Sequence, residues 1–286
     1  MAHPNPEHFT IAQFSDLHCG GPRFDEHLLE RVIREVNEAK PNLVVVPGDL
    51  TADGYRDEYE IAKTHLEQIE CADVIVIPGN HDSRNVGYLH FVELFGQRWD
   101  AREMELGVER TETGTKNIRI VSVDSSKPDL NDGEVGRHRY QWLAEQLGDP
   151  DEDVFKIVII HHHLVGIPNT GRERNIVLDA GDVLEMLSVH DVDLVLAGHK
   201  HVPYVWPVGG MLVCTSGTAC TWRTRANIPP SYNLITISGD NIHVDIIDSN
   251  GEGHRSLDFD TRKCLHVRGG GRLDMIHNHG AGSPIS

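Results

Sequence analysis

No stretch of this 286-residue chain approaches the ~20 consecutive apolar residues that a membrane-spanning helix needs. Its five cysteines (Cys19, Cys71, Cys214, Cys220 and Cys264) are odd in number and form no Cys-x-x-Cys pair. That argues against a disulfide framework or a zinc knuckle and for reduced thiols. The N-terminus, 1–7, is polar and has no basic stretch followed by an apolar one, unlike a signal peptide. A soluble, cytosolic protein is expected. Basic residues are also scarce, 26 against 44 acidic, for a formal net charge of -18. Such a surface repels nucleic acid at long range, and there is no basic stretch interleaved with aromatics to offset that. No nucleic-acid partner is expected.

What is present is a series of short apolar runs rich in β-branched residues. Phe9–Phe14, Leu43–Val46, Val74–Ile77, Ile118–Val123, Ile157–Ile160 and Leu194–Ala197 read as strands buried on both faces. Between them, Asp25–Ala39, Asp57–Ile69, Arg137–Leu147 and Asp179–Val189 carry helical periodicity. After Lys200 the segments Tyr204–Val208, Met211–Thr215, Tyr232–Ser238 and Ile242–Asp248 read as an antiparallel meander. The expected architecture is α/β: two packed mixed β-sheets flanked by helices, in one catalytic domain over 1–248. Residues 249–286 are expected to be a C-terminal extension that caps the site, pairs as an extra strand or stays disordered, flexible at Gly269–Gly271 and His279–Ser286.

The polar residues fall in a pattern. Five of the apolar runs lead directly into Asp16-Leu17-His18, Gly48-Asp49, Gly79-Asn80-His81-Asp82, His161-His162-His163 and Gly198-His199-Lys200-His201. Any one of these reads as readily as a helix cap or a polar turn. Five at successive strand ends point to one site, because ligands of open α/β sheets bind beyond the carboxyl ends of the strands. Residues two apart in an extended segment share a face. Asp16 with His18, and His199 with His201, are therefore each expected to bite one cation. Glycines 48, 79 and 198 allow the backbone to approach the site. Asp49 is the candidate carboxylate to bridge two ions. Mixed nitrogen and oxygen donors suit Mn, Fe, Zn, Co or Ni better than Ca or Mg. Cys19, beside this cluster, reads as an ordinary small residue in a turn or as a reactive thiol.

In order and spacing these blocks resemble the calcineurin-like metallophosphoesterase superfamily, over Phe9 to about Asp248. The texture is most like its bacterial class III cyclic-nucleotide phosphodiesterases, carried by Val123-Asp124-Ser125, Gly133 with Gln141-Trp142-Leu143, and Ser231-Tyr232-Asn233-Leu234. The resemblance implies two divalent metal ions, with Mn or Fe favoured. One would be held by Asp16, His18, Asp49 and His201, the other by Asp49, Asn80, His161 and His199. Within the histidine triplet His161 is the first choice of ligand and His162 the second. His81 would contact the phosphate together with Asn80 and donate a proton to the leaving oxygen, with Asp82 or Asp53 orienting it. Arg84 and Lys200 read equally as phosphate contacts and as loop-holding cations. The implied reaction is hydrolysis of a small-molecule phosphodiester, including 3',5'-cyclic nucleotides, by a metal-activated hydroxide. The alternative is a phosphomonoesterase, a phosphoprotein phosphatase or another phosphodiesterase on the same core. A nuclease and a non-catalytic scaffold of the retromer type fit less well. The family also leaves room for a homodimer.

Overall fold

The computed structural model describes residues 8–106, 117–149, 154–171, 176–225 and 227–261. The terminal flexible stretches expected above, Cys264 and the first seven residues lie outside the described residues. Chain order begins β1 (Phe9–Gln13), α1 (Glu26–Ala39), β2 (Leu43–Pro47), α2 (Arg56–Leu66), β3 (Val74–Ile77) and α3 (Gly87–Phe95). It continues with β4 (Asp100–Glu105), β5 (Asn117–Val123), α4 (Arg137–Leu147), β6 (Val154–Ile160), α5 (Ala180–Val189) and β7 (Leu194–Ala197). The last strands are β8 (Tyr204–Val208), β9 (Met211–Thr215), β10 (Ser231–Ser238), β11 (Asn241–Asp248) and β12 (His254–Asp260).

These strands form two six-stranded sheets, ordered β12-β11-β10-β1-β2-β3 and β4-β5-β6-β7-β9-β8. Strand alternation explains how the sheets stack. Along β2, Leu43 and Val45 join an apolar cluster between the sheets, while Val44 and Val46 face the cluster under α1, α2 and α3. In the other sheet, Ile157 and Ile159 of β6 face the same inter-sheet cluster, and Val158 and Ile160 face α4 and α5. The result is a four-layer α/β/β/α sandwich, as the sequence pattern implied. Helix α1 shows the local logic. Asp25 caps it by accepting from the Leu28 N–H, and Leu29, Val32, Ile33 and Val36 form its buried stripe. It ends at Lys40, in the left-handed region at φ 50° and directly before Pro41.

Two expectations change. The strands after Lys200 are not one meander. The β8–β9 hairpin extends the second sheet, with β9 parallel to β7, whereas β10, β11 and β12 complete the first sheet beyond β1. After residue 248 comes one more strand, β12, which pairs antiparallel with β11, the extra-strand reading of the C-terminal extension. Its residues are polar and mostly exposed, so it carries no apolar signal. Strand β4 and helix α3 were not expected. The first is a polar edge strand, and the second is only nine residues long.

Candidate metal centre

The carboxyl ends of β1, β2 and β3 in one sheet and of β6 and β7 in the other open onto the same space. The turns there run beside one another. Asp16 N–H donates to the Gly48 carbonyl (3.0 Å), His18 N–H to the Asp49 carbonyl (3.0 Å) and Gly198 N–H to the His161 carbonyl (3.0 Å). Close approach needs residues without side chains at two points. A Cβ at Gly79 would collide with Asp49, and one at Gly198 would sit 2.7 Å from Asp16 Oδ2.

The paired residues reach the site differently from the extended geometry expected of them. Asp16, His18, Asp49, His199 and His201 all have positive φ, between 48° and 76°. They are five of the eleven non-glycine residues with that conformation among those described. Each such residue costs about 1–3 kcal/mol. Concentrating that strain on the candidate ligands marks the site independently of residue type.

Two nests of donor atoms result, and Asp49 belongs to both. In the first, His201 Nε2 lies 3.2 Å from Asp16 Oδ1 and 3.0 Å from His18 Nε2. His18 Nε2 lies 3.8 Å from Asp49 Oδ2. In the second, His161 Nε2 lies 3.2 Å from Asn80 Oδ1, 3.2 Å from His199 Nδ1 and 3.4 Å from Asp49 Oδ1. The structure thus brings together all seven residues expected to hold metal.

The protonation pattern tests whether cations fit. His201 donates its Nδ1–H to the Arg223 carbonyl (2.5 Å), so its Nε2 presents a lone pair. That lone pair faces Asp16 Oδ1, a buried oxygen with no hydrogen-bond donor. The other oxygen of Asp16 is already engaged by Ser15 Oγ and the His199 N–H. His161 likewise donates Nδ1–H to the Pro47 carbonyl (2.7 Å), which turns Nε2 toward the oxygens of Asn80 and Asp49. Burial works to lower the His161 pKa, but Asp49, with Asp16 and the Pro47 carbonyl, raises it to about 9. Without a cation His161 would therefore carry a second proton on Nε2, between the oxygens of Asn80 and Asp49, in the place an ion would take. Burial holds His18 and His199 well below the usual imidazole range, and the neighbouring histidines add to this around His199. Neutral imidazole is the ligating form. Acceptors turned on acceptors in a buried space fit divalent cations, and carbonyls on the far ring nitrogens are the usual support of histidine ligands.

The other histidines of the triplet are placed differently. His162 has both ring nitrogens engaged by protein, Nδ1 with Ser125 Oγ (2.7 Å) and Nε2 with the Asn131 carbonyl (3.2 Å). His163 stacks on His199 at 5.6 Å between ring centroids. Asn131 also takes the Asn80 amide (3.3 Å) and an Arg84 N–H (3.0 Å) on its side-chain oxygen. That turns Asn80 Oδ1 toward His161.

His81 stands over the first nest, 4.4 Å from the His18 ring. The orienting role assigned to Asp82 or Asp53 falls instead to a backbone group, the Ala52 carbonyl, which contacts Nδ1. Asp82 is occupied elsewhere. It accepts from the N–H groups of Leu50 (3.1 Å), Thr51 (2.9 Å) and Gly79 (2.8 Å) and from the Thr51 hydroxyl (2.8 Å), tying two site loops together. Asp53 takes Arg84 (2.8 Å). Burial lowers the His81 pKa, and Arg84 and Arg223 act in the same direction. Cys19 is buried, and burial pushes its thiol well up, which is the unreactive form. A cleft of about 360 Å³ opens beside His18 and His81, with Arg84 and Arg223 in its walls. Sequence reasoning missed Arg223, Asn131 and the Ala52 carbonyl, which lie in loops with no motif. Ser125 was singled out only as part of a resembling segment.

A family model described as calcineurin-like phosphoesterase matches residues 9–203. The chain belongs to that family. This phosphoesterase is thus a phosphoric ester hydrolase that works with divalent metal ions. It is 27% identical over 235 residues to a "Probable cyclic nucleotide phosphodiesterase" of Rhodococcus erythropolis, covering 76% of this chain and 73% of that one. It is also 27% identical over 240 residues to the "cAMP/cGMP dual specificity phosphodiesterase MT0825" of Mycobacterium tuberculosis, covering 76% and 69%. Its fold matches that of the purple acid phosphatase PPD1 from yellow lupin with a TM-score of 0.67 at 15% identity. That match covers 90% of this phosphoesterase but only 55% of the lupin chain. Among the described residues no helix is long and apolar enough to cross a membrane.

Proposed function

We propose that this phosphoesterase hydrolyses phosphodiesters at a binuclear centre, with 3',5'-cyclic nucleotides as its substrate class. The observation that carries the reading is Asp49, whose two oxygens point into two separate nests of nitrogen and oxygen donors. Asp16, His18, His201 and Asp49 would hold one ion, and Asn80, His161, His199 and Asp49 the other. Mixed histidine, carboxylate and amide donors suit Mn, Fe, Zn, Co or Ni, and the family resemblance favours Mn or Fe among them. When bound, such a pair would supply Lewis acidity and a hydroxide nucleophile near neutral pH.

The chain's own groups do the rest. His81 contacts the phosphoryl group from the cleft side and donates a proton from Nε2 to the leaving oxygen. The Ala52 carbonyl accepts from Nδ1–H and fixes the ring, so the proton given up is the second one, carried on Nε2 by the imidazolium, which burial and the two arginines make a stronger acid. Asn80 is held in place by Asn131 and so serves its ion without searching for a rotamer. Names of relatives support the diester reading, since one is named a probable cyclic nucleotide phosphodiesterase and the other a cAMP/cGMP dual specificity phosphodiesterase.

The test is a parallel assay of the Mn-loaded protein on cAMP, cGMP, bis-p-nitrophenyl phosphate and p-nitrophenyl phosphate, with Asp49→Ala as control. Turnover of the cyclic nucleotides that vanishes in the control supports the proposal. Turnover confined to the synthetic diester keeps the chemistry and discards the cyclic-nucleotide assignment. Turnover mainly of the monoester replaces it with a phosphatase. A protein that binds no metal ends the proposal.

A further inference from the structure

We propose that Arg223 is a substrate-binding residue that grips a phosphoryl oxygen beside His81. This inference rests on the phosphoesterase reading and adds a residue to it. Arg223 lies between β9 and β10, outside every motif that led to the site. Its guanidinium Nη1 stands 3.3 Å from His81 Nε2 and lines the cleft that His81 faces. No carboxylate among the described residues pairs with it. In a chain with 44 acidic residues against 26 basic ones, an arginine without a carboxylate partner beside a phosphate-ester site is a cation kept for a ligand. The contrast with Arg84 in the same cleft supports this. Arg84 is tied down by the Asp53 carboxylate, the Asn131 side chain and the Ala52 carbonyl.

Its backbone is fixed, and among the described residues its guanidinium hydrogen-bonds to His81 Nε2 alone. Arg223 N–H donates to Thr221 Oγ (3.3 Å), and that hydroxyl donates to the Arg23 carbonyl (3.1 Å). Trp222 adds two anchors, N–H to the Arg23 carbonyl (3.0 Å) and Nε1–H to Asp25 (3.0 Å). The Arg223 carbonyl receives the His201 Nδ1–H. One residue thus orients a metal ligand through its backbone and reaches the substrate through its side chain. A planar fork of N–H donors suits phosphate oxygens. A donor held in advance loses little freedom when it binds.

The two roles separate in a mutant, because a substitution at position 223 leaves the carbonyl in place. Arg223→Gln and Arg223→Lys would be compared with the wild type, all Mn-loaded. The readouts are metal content, melting temperature, kinetics on bis-p-nitrophenyl phosphate and calorimetric affinity for inorganic phosphate. Arg223→Gln is expected to keep both metals and its melting temperature. Phosphate affinity should fall by about ten- to a hundred-fold, the size of a charge-assisted hydrogen bond, and kcat/KM should fall in parallel. Arg223→Lys, which keeps the charge without the fork, should fall between. Unchanged phosphate affinity and kinetics in Arg223→Gln overturn the proposal. So does a loss of activity explained by lost metal, which would make the residue a loop support. A wild type that binds phosphate but turns over no ester would refute the enzymatic reading, and the phosphate titration would still decide the role of Arg223.

Discussion

Replacing His161 and His162 by alanine, one at a time, tests which member of the histidine triplet holds metal. The proposed second nest takes one donor atom each from Asp49, Asn80, His161 and His199. A four-ligand structural zinc site is worth about 10–16 kcal/mol, or roughly 2.5–4 kcal/mol per ligand if shared equally. His161→Ala should therefore weaken one ion by about a hundred- to a thousand-fold at 1.4 kcal/mol per decade. A ring nitrogen of His162 lies within 4.8 Å of those of His161 and His199, but Ser125 and Asn131 engage both of its nitrogens. Its loss should be felt through the packing of the His161 and His199 rings, 4.9 and 4.6 Å away. Removing such a supporting group costs about ten- to a hundred-fold. The assay is metal analysis after dialysis against a micromolar free concentration of the ion, with turnover of bis-p-nitrophenyl phosphate followed in parallel. Near one ion per chain in His161→Ala and near two in His162→Ala is the expected result. The reverse pattern would refute the reasoning, and with it the tautomer argument built on the Pro47 carbonyl.

Three further outcomes follow from the same geometry. Stripping metal with a chelator should lower the melting temperature, and restoring each ion at a hundred times its Kd should return about 2.7 kcal/mol per site; an unchanged melting temperature would count against buried cation sites. In Asp82→Asn the amide NH2 should settle on the Thr51 side, where the hydroxyl can turn to accept but the Thr51 N–H is orphaned. That costs about 1–3 kcal/mol, read as a lower urea midpoint of the metal-loaded protein. On the face shared by β11 and β12, His243 contacts Asp258 (2.7 Å) and Asp245 (3.0 Å), and the hydrogen bond to Asp258, with Asp245, raises its pKa. Its contribution to stability is full below the ordinary imidazole value and fades as pH rises through the raised one. An NMR titration should place its midpoint above about 6.5, and Asp258→Asn should bring it down.

The sequence was legible where physics writes in adjacent residues. An apolar run that ends in Gly-Asp or Gly-Asn-His shows both a buried strand and the polar cluster at its tip. The layers were readable too, because Leu43 and Val45 can only face opposite to Val44 and Val46. Non-local pairing was not readable: nothing in Met211–Thr215 tells that it lies parallel to β7 rather than against β10. Polar edge strands such as Asp100–Glu105 carry no alternation to detect. The partner of His81 escaped because a backbone carbonyl has no letter of its own, and charge made Asp82 and Asp53 the attractive but mistaken choices. Cys19 and the positive φ of the ligands belong with these, since burial and backbone strain depend on the assembled turns.

Asp16 and His18 follow a strand of one sheet and His201 a strand of the other, and His201 comes 183 positions after His18. An ion held by all three would be a reversible cross-link of a very long loop, a counterpart to a disulfide in a protein with no disulfide among its described cysteines. By the logic of loop closure such a link restricts the unfolded chain the more, the longer the loop it closes. The supply of metal would then govern how long this chain stays folded as well as whether it turns over ester, and its lifetime in a proteolytic environment would track the free concentration of the ion.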